Sequence, residues 1–352
     1  MAEVFIISAV RTPFDSGVFA DPSDGINLPD LLMHAAVGRA GIDAGRLEDS
    51  VWAGPFEPGN LPKRTAVGAR GLFRLPVMAV NRPGAGSQQA LHSAAQQVLA
   101  GDADLVMACG FDKALGMGAF PSWEASLESE AEAAGFSRQE LDDYSYESCK
   151  RAKRAVRKGW FERQVISNGN AQADRPQQDA LMFAPASRRA LASLPPVGKP
   201  GGLFTLGNSA RACDGAAILV LASVKAVGRY NLSPLARIAA RCVVDCEAAL
   251  QGSILVTRRA LQQAGLGLDE VDIVEVDESF AALVLGWARE FQPSMERLNP
   301  TGGALAFGHA REAAGAVWIT RLAHELARTR QQYGLFVASA PGVALATVIE
   351  RV

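Results

Sequence analysis

The sequence lacks the features that would assign it to several large classes of protein. Its five cysteines are an odd number without repeating spacing, which predicts neither a disulfide framework nor a set of zinc ligands. The N-terminal apolar stretch is broken by Arg11 and Pro13, and no segment approaches the roughly 18 apolar residues of a membrane helix. We therefore expect no signal peptide, no membrane span and, from the cysteine usage, a reducing cytoplasmic compartment.

The sequence also lacks a strong excess of positive or negative charge. The chain has 35 Lys and Arg against 37 Asp and Glu, a net charge of -2, and its basic residues do not gather into one stripe. This argues against nucleic acid as the main partner. With 49% apolar residues over 352 positions, the chain has the composition of a globular protein of two or three structural units.

An internal repeat is present instead. Residues 36–51 and 260–275 share one pattern: the end of an amphipathic helix, an Ala-Gly stop, a short acidic turn and an apolar strand. Further on, a small-residue loop, a helix and a strand recur in both parts of the chain, and those strands begin at Leu105 and Leu335. The two offsets, 224 and 230 residues, predict two similar βα-rich halves.

A segment of different composition joins these halves. We expect residues 111–203 to form an inserted loop domain, because the segment is rich in Pro, Gln and Asn and partly helical. The apolar run at 213–223 is predicted to return to the first half, which gives 1–110 plus 204–229 for that half and 230–352 for the second. Short apolar strands flanked by helical segments predict an α/β protein whose sheet is covered on both faces.

The loop at residues 81–90 leads from an apolar run into a helix. Free N–H groups at that helix N-terminus could lower the pKa of a thiol or hold an oxyanion. A tight strand-to-helix turn that needs glycine explains the loop equally well.

Only four histidines are present, and one of them has an unusual setting. His309 lies in a Gly/Ala-rich loop before a helix, where an imidazole can serve as a general base or merely cap or pack. His34, His92 and His324 fall within helical periodicity, so we expect structural roles for them.

Asp277 and Glu278 stand between an apolar strand and an apolar helix. They would suffice as an N-cap with first-turn charge, and this is the interpretation that the local sequence favours. Alternatively, one of them orients a base or a water molecule at the end of the sheet, where ligands of α/β proteins bind.

Four stretches share their order and spacing with one known family. They are VNRPGAGSQQA at 80–90, GNSARACDGAA at 207–217, VEVDESFAA at 274–282 and NPTGGALAFGH at 299–309. With them the chain resembles the thiolase family from residue 3 to its end, although the joining segment is shorter than usual. The resemblance implies an α/β thiolase-like fold of two similar halves stacked as five layers, with an inserted loop domain that helps to bind coenzyme A.

The resemblance also implies an activity, a reversible Claisen condensation or thiolysis of a 3-oxoacyl-CoA. In the family one cysteine takes the acyl group, a histidine activates its thiol, and a second cysteine moves a proton. Aligned without gaps, these positions are Gly84, His309 and Phe336, so both cysteines are missing. Asp277 stands where the family has an asparagine that positions water, and acid/base roles therefore go to His309 and Asp277.

Further assignments rest on the same resemblance. A loop-domain histidine near the acyl-CoA aligns with Cys149, and the expected substrate-binding residues are Cys149, Asn208, Ser209, Gly308 and Gly342. Ser87, three residues beyond Gly84, is a candidate replacement nucleophile. A CoA thioester is expected as substrate or ligand, with no bound cofactor or metal, and a homodimer or higher homo-oligomer is implied.

Three functions follow as hypotheses. The first is an ordinary thiolase-type acyltransferase with a replacement nucleophile. The second is altered acid/base chemistry on a CoA thioester through His309 and Asp277, without an acyl-enzyme. The third is a non-catalytic subunit that pairs with an active thiolase or an acyl-binding protein. The missing thiol favours the last two, because glycine cannot carry an acyl group.

Overall fold

The computed structural model describes residues 2–14, 28–54, 75–82, 84–113, 124–166 and 179–352, and the structural statements concern these residues. The Pro/Gln/Asn-rich passage within the joining segment, at residues 167–178, lies outside them.

The first half alternates strands with helices. Its elements are β1 (Val4–Arg11), α1 (Leu28–Ala40), β2 (Asp49–Ala53), β3 (Val77–Val80), α2 (Gly86–Ala100), β4 (Leu105–Asp112), β5 (Gly215–Ser223) and α6 (Val224–Tyr230). Most of these strands are apolar, and β4 is buried along its whole length, as expected for a sheet covered on both faces. Helix α2 ends at Gly101, which adopts the left-handed conformation that favours glycine.

Three helices lie between β4 and β5. They are α3 (Glu124–Ala133), α4 (Arg138–Arg157) and α5 (Arg188–Ala192). Helix α4 begins with a capping box, in which the Ser137 hydroxyl accepts from the Glu140 N–H and the Glu140 carboxylate accepts from the Ser137 N–H. The inserted segment is fixed to β1 by an ion pair between Arg11 and Asp179, with 2.6 Å between the paired nitrogen and oxygen and both side chains fully buried.

The second half repeats the order of the first. It comprises β6 (Ala236–Val244), α7 (Ala249–Ala264), β7 (Ile273–Val276), α8 (Ala281–Phe291), α9 (Ala304–Phe307), α10 (Ala314–Thr329), β8 (Tyr333–Ala340) and β9 (Val343–Arg351). The two Ala-Gly stops end α1 and α7, with Gly41 and Gly265 at φ of 69° and 71°. The predicted repeat is confirmed.

The strands of the two halves are hydrogen-bonded in one order, β3-β2-β4-β5-β1-β6-β9-β8-β7. The series β2-β4-β5-β1 in the first half corresponds to β7-β8-β9-β6 in the second. In both halves the first two strands of the series are parallel and the next pairing is antiparallel. A short antiparallel contact between β1 and β6 connects the halves.

Helices and strands stack in five layers, as the resemblance implies. Helix α1 packs on β1 and β5, α2 and α10 pack against each other between the two halves of the sheet, and α7 covers β6, β8 and β9 from outside, with α8 beside it. Each interface has its own apolar core, so the side chains of one strand alternate between two cores. In β8, for example, Phe336 faces the α2/α10 layer while Leu335 and Val337 face α7 and α8.

Within the part of the chain that the structure describes, no helix is both long and apolar enough to cross a membrane.

Candidate active site

His309 is held in place by its backbone. Its N–H donates to the Arg211 carbonyl at 2.7 Å, and its own carbonyl accepts from the Cys213 N–H at 3.3 Å. Gly308 makes this close approach feasible, since its φ is 92° and a side-chain carbon there would lie 2.8 Å from Cys213 Cβ. The Gly/Ala-rich character of the loop thus serves to bring His309 against a neighbouring segment.

The imidazole of His309 contacts Asp277, which comes directly after β7. His309 Nε2 lies 2.9 Å from Asp277 Oδ1, and the side chains are 12% and 8% exposed. Burial lowers the pKa of His309, but the carboxylates of Asp277 and Asp112 outweigh it and raise that pKa above 6.5. Burial raises the pKa of Asp277, and the charge and hydrogen bond of His309 turn the net shift downward. The contact therefore favours the imidazolium form of His309 and the carboxylate form of Asp277.

Asp277 does not act as a helix cap. Helix α8 begins at Ala281, its N-cap residue is Phe280, and no side chain caps it. The capping interpretation of Asp277 and Glu278 is wrong, because both residues lie ahead of the first helical turn. Asp277 does contact the imidazole of His309, and its role in orienting a base stays a prediction.

Glu278, the neighbour of Asp277, has a structural role. Its carboxylate accepts from Tyr144 Oη at 2.6 Å, from Ser148 Oγ at 2.7 Å and from Asn299 Nδ2 at 2.8 Å. Two of these donors belong to α4, so Glu278 ties the inserted helices to the second half. Its Oε2 also accepts from the Leu305 N–H at 3.4 Å, so both oxygens are engaged in hydrogen bonds within the protein.

The other histidines inside the protein have structural partners. His92 Nε2 lies 2.8 Å from Thr347 Oγ1, and burial lowers its pKa to about 3. His324 Nε2 donates to the Ala9 carbonyl at 2.9 Å, and burial lowers its pKa to about 4. Both imidazoles are neutral near pH 7, which distinguishes them from His309.

The N-terminus of α2 begins with glycine and alanine. Gly84 has a φ of 76°, and a side-chain carbon there would lie 3.0 Å from Ala340 Cβ at the end of β8. Ala85, the N-cap residue, has no side chain that could cap the helix. The free N–H groups of this helix end are therefore open to another acceptor.

A carboxylate lies beside this helix end, that of Glu312, which the sequence patterns did not indicate. The Gly84 N–H hydrogen-bonds its carboxylate, and a side-chain carbon on Gly86 would overlap it. Burial raises the pKa of Glu312 to about 7, and the nearby Asp112 carboxylate adds to the shift. The one available signal was an acidic residue in an otherwise small-residue stretch, three positions after His309.

Ser87 faces away from this group. It is 1% exposed, and its Oγ accepts from the Ala316 N–H at 3.0 Å, at the contact between α2 and α10. Among the hydrogen bonds of the described residues, none joins Ser87 to His309. The structure gives the hydroxyl a packing role, and its use as a nucleophile stays a prediction.

Two family models match nearly the whole chain. The model described as "Thiolase, N-terminal domain" matches residues 4–114 and 124–225, and "Thiolase, C-terminal domain" matches 232–351. This chain belongs to the thiolase family.

Relatives and solved structures of the thiolase family agree with this assignment. Over the full chain it is 31% identical to a steroid 3-ketoacyl-CoA thiolase of Mycobacterium tuberculosis, covering 95% of that protein, and 30% identical to a 3-ketoacyl-CoA thiolase of Escherichia coli, covering all of it. The fold is similar to that of human mitochondrial 3-ketoacyl-CoA thiolase in complex with CoA, with TM-score 0.88, 24% identity, and 100% and 99% of the two chains covered. An acetyl-CoA acetyltransferase from Syntrophomonas wolfei gives TM-score 0.88 at 26% identity, with both chains fully covered.

The two thiolase cysteine positions assigned by resemblance lie in different surroundings. Gly84 is at the α2 N-terminus, beside the site. Phe336 lies in the middle of β8, 1% exposed in the α2/α10 core, and pairs with Thr347 of β9. The residue of β8 that approaches Gly84 is Ala340, because only the end of that strand reaches the N-terminus of α2. The structure therefore does not bring Phe336 to Gly84.

The residues assigned to substrate binding are spread over several places in this thiolase fold. Cys149 is 5% exposed, and burial together with the Glu278 charge raises its pKa to about 12, so its thiol stays protonated. Asn208 is fully buried and donates to Asp142 Oδ1 at 2.9 Å. Ser209 is 2% exposed. Their binding roles stay predictions.

The glycines of that group lie at turns of the backbone. Gly308 positions His309, as described above. Gly342, with a φ of 90°, forms the turn between β8 and β9 after Pro341, and its N–H donates to the Cys246 carbonyl at 2.7 Å. Among the described residues, no group of His, Cys, Asp and Glu is arranged to hold a metal ion.

Proposed function

We propose that this thiolase-family chain binds CoA thioesters at the His309–Asp277 pair and carries out acid/base chemistry on them without an acyl-enzyme. The relatives named above are 3-ketoacyl-CoA thiolases, and one similar structure is a complex with CoA. The observation that carries the proposal is the 2.9 Å contact between His309 and Asp277. The resemblance supports it, because it aligns the nucleophilic cysteine of the family with Gly84.

The pair is suited to donating a proton. The Asp277 carboxylate favours the imidazolium form of His309, and an imidazolium can protonate a leaving group or stabilise a developing negative charge. Asp277 acts on His309 as a positioning residue, because its hydrogen bond holds the imidazole and raises the pKa of His309. Neither His309 nor Asp277 has to form a covalent bond with the substrate.

The test combines binding, turnover and protein mass. Purified protein is titrated calorimetrically with CoA, then incubated with acetyl-CoA, acetoacetyl-CoA and octanoyl-CoA, and products and intact protein mass are measured by mass spectrometry. We expect binding, turnover of at least one thioester and no acyl adduct. His309→Ala should reduce turnover by about 100-fold or more, as expected for loss of a general acid. His34→Ala, on the exposed face of α1, is the matched control and should leave turnover unchanged.

Other outcomes separate the alternatives. An acyl adduct that maps to Ser87 or Cys149 would support an ordinary acyltransferase with a replacement nucleophile. CoA binding without any turnover would support a non-catalytic subunit that pairs with a thiolase or an acyl-binding protein. The homo-oligomer and the cytoplasmic location stay predictions that size-exclusion chromatography with light scattering and cell fractionation would test.

A further inference from the structure

The Glu312 carboxyl lies beside the N-terminus of α2. It accepts from the Gly84 N–H and lies against Gly86, at the first turn of α2. Its own backbone is also fixed, since the Glu312 N–H donates to Asp112 Oδ2 at 3.2 Å. The carboxyl is therefore held from two sides, although its residue belongs to the other half of the chain.

One oxygen of this carboxyl is unused. Glu312 Oε2 is buried and has no hydrogen-bond partner among the described residues, whereas both Glu278 oxygens accept hydrogen bonds and both Asp179 oxygens bind Arg11. Leaving a buried acceptor unpaired costs free energy, on the order of 1–3 kcal/mol. Eleven other buried side-chain atoms of the described residues also lack a partner, and among them only Glu124 Oε1 belongs to a carboxylate. Glu312 differs from the rest by its charge interaction with His309, and an unpaired buried carboxylate oxygen in such a setting is a candidate for acting on a ligand.

We propose that Glu312 is a catalytic base that takes a proton from water, so that this site hydrolyses CoA thioesters. The inference rests on the proposed function, because it requires a CoA thioester at His309. It adds the second member of an acid/base pair and names the reaction class.

The step balances with water as the only co-reactant. The water oxygen bonds to the thioester carbonyl carbon while one of its protons passes to Glu312 Oε2. The carbon–sulfur bond then breaks, and the CoA thiolate takes a proton from the His309 imidazolium. The products are a carboxylic acid and free CoA, and proton exchange with solvent returns Glu312 to the carboxylate and His309 to the imidazolium.

The charges around Glu312 keep both of its forms accessible near neutral pH. Asp112, from the end of β4, opposes ionisation of Glu312, while Arg311 and His309, from the segment before α10, favour it. Within the described parts of the chain, the Glu312 carboxyl also contacts Gly84 and Gly86 at the N-terminus of α2, which carry no side-chain charge.

The first experiment removes the base without changing its shape. Glu312→Gln and wild type are compared for release of free CoA from acetyl-CoA, acetoacetyl-CoA and octanoyl-CoA, in water enriched in oxygen-18. We expect heavy oxygen in the acid product of the wild type, a fall in kcat of about 100-fold or more in the variant, and unchanged CoA affinity. Glu296→Gln, on an exposed residue, is the matched control and should match the wild type in all three measurements.

The second experiment moves the pH profile instead of abolishing activity. The wild-type rate should rise with pH through the ionisation of Glu312. Asp112→Asn removes a like charge and should shift that rise to lower pH, whereas Arg311→Gln removes an opposite charge and should shift it to higher pH, each by on the order of one unit. A merely structural Glu312 would give no such opposite displacements.

The outcomes distinguish this inference from the function on which it rests. If the wild type neither binds CoA nor turns over a thioester, the proposed function fails, and the inference fails with it. If His309-dependent turnover persists in Glu312→Gln, or if the product acid lacks oxygen-18, the inference alone is overturned. A gain in CoA affinity on Glu312→Gln, without loss of rate, would identify the carboxyl as an obstruction and not a base.

Discussion

Glu278 and Glu312 are two carboxylates near the same histidine, and the structure treats them in opposite ways. Glu278 accepts side-chain hydrogen bonds from Tyr144, Ser148 and Asn299 and is 1% exposed. Glu312 accepts from the Gly84 backbone, and no described residue is bonded to its Oε2. A buried carboxylate whose oxygens are all bonded holds elements together, whereas one with an unused oxygen remains available to a ligand.

The largest change in stability should come from replacing Glu278, which has more hydrogen bonds than Glu312. Glu278→Ala removes the acceptor of three buried side chains, and we expect the free energy of unfolding to fall by about 3–5 kcal/mol. Urea unfolding at pH 7 measures this loss. Glu296→Ala, at an exposed position, should change stability by less than about 0.5 kcal/mol. A loss below about 1 kcal/mol for Glu278→Ala would erase the contrast between the two carboxylates.

The second prediction is a gain in stability, which we expect when Glu312 is replaced. Because burial raises the pKa of Glu312 from 4.5 to about 7, the folded state binds its proton more tightly than the unfolded state. Its contribution to stability is fully present below about pH 4.5 and is lost as pH rises through about 7. Glu312→Gln should therefore stabilise the protein relative to wild type at pH 8, by about 1–3 kcal/mol more than at pH 4.5.

Urea unfolding of this variant and of wild type between pH 4.5 and 8 gives the difference directly. A flat difference across that range would mean that Glu312 titrates near its ordinary pKa. In that case its surroundings would not distinguish it from a surface carboxylate.

The smallest effect concerns the glycine that faces Glu312. Gly84 and Gly101 flank α2 with φ of 76° and 83°, but only Gly84 would bring a side chain into close contact, 3.0 Å from Ala340 Cβ. Each change to alanine should cost about 1–2 kcal/mol for the left-handed conformation. Gly84→Ala should cost about 1 kcal/mol beyond Gly101→Ala, measured by urea unfolding. Equal costs would show that Ala340 moves aside and that the pocket accepts a side chain.

Much of the fold could be read from local patterns. The Ala-Gly stops, the acidic turns and the apolar runs predicted the repeated halves, because helix ends and strands depend on a few neighbouring residues. The resemblance to thiolases added the layered arrangement and the placement of His309. Local pattern failed at Asp277 and Glu278, where a cap was favoured although α8 begins only at Ala281.

By itself, then, the sequence determined the order of helices and strands, the two similar halves and the presence of one histidine in a small-residue loop. Only the tertiary structure decided which carboxylate pairs with His309, which one is consumed by hydrogen bonds and which one lies at the N-terminus of α2. The physical reason is distance along the chain. Glu312 meets Gly84 only after the two halves pack around α2 and α10, and no periodicity of neighbouring residues encodes that contact.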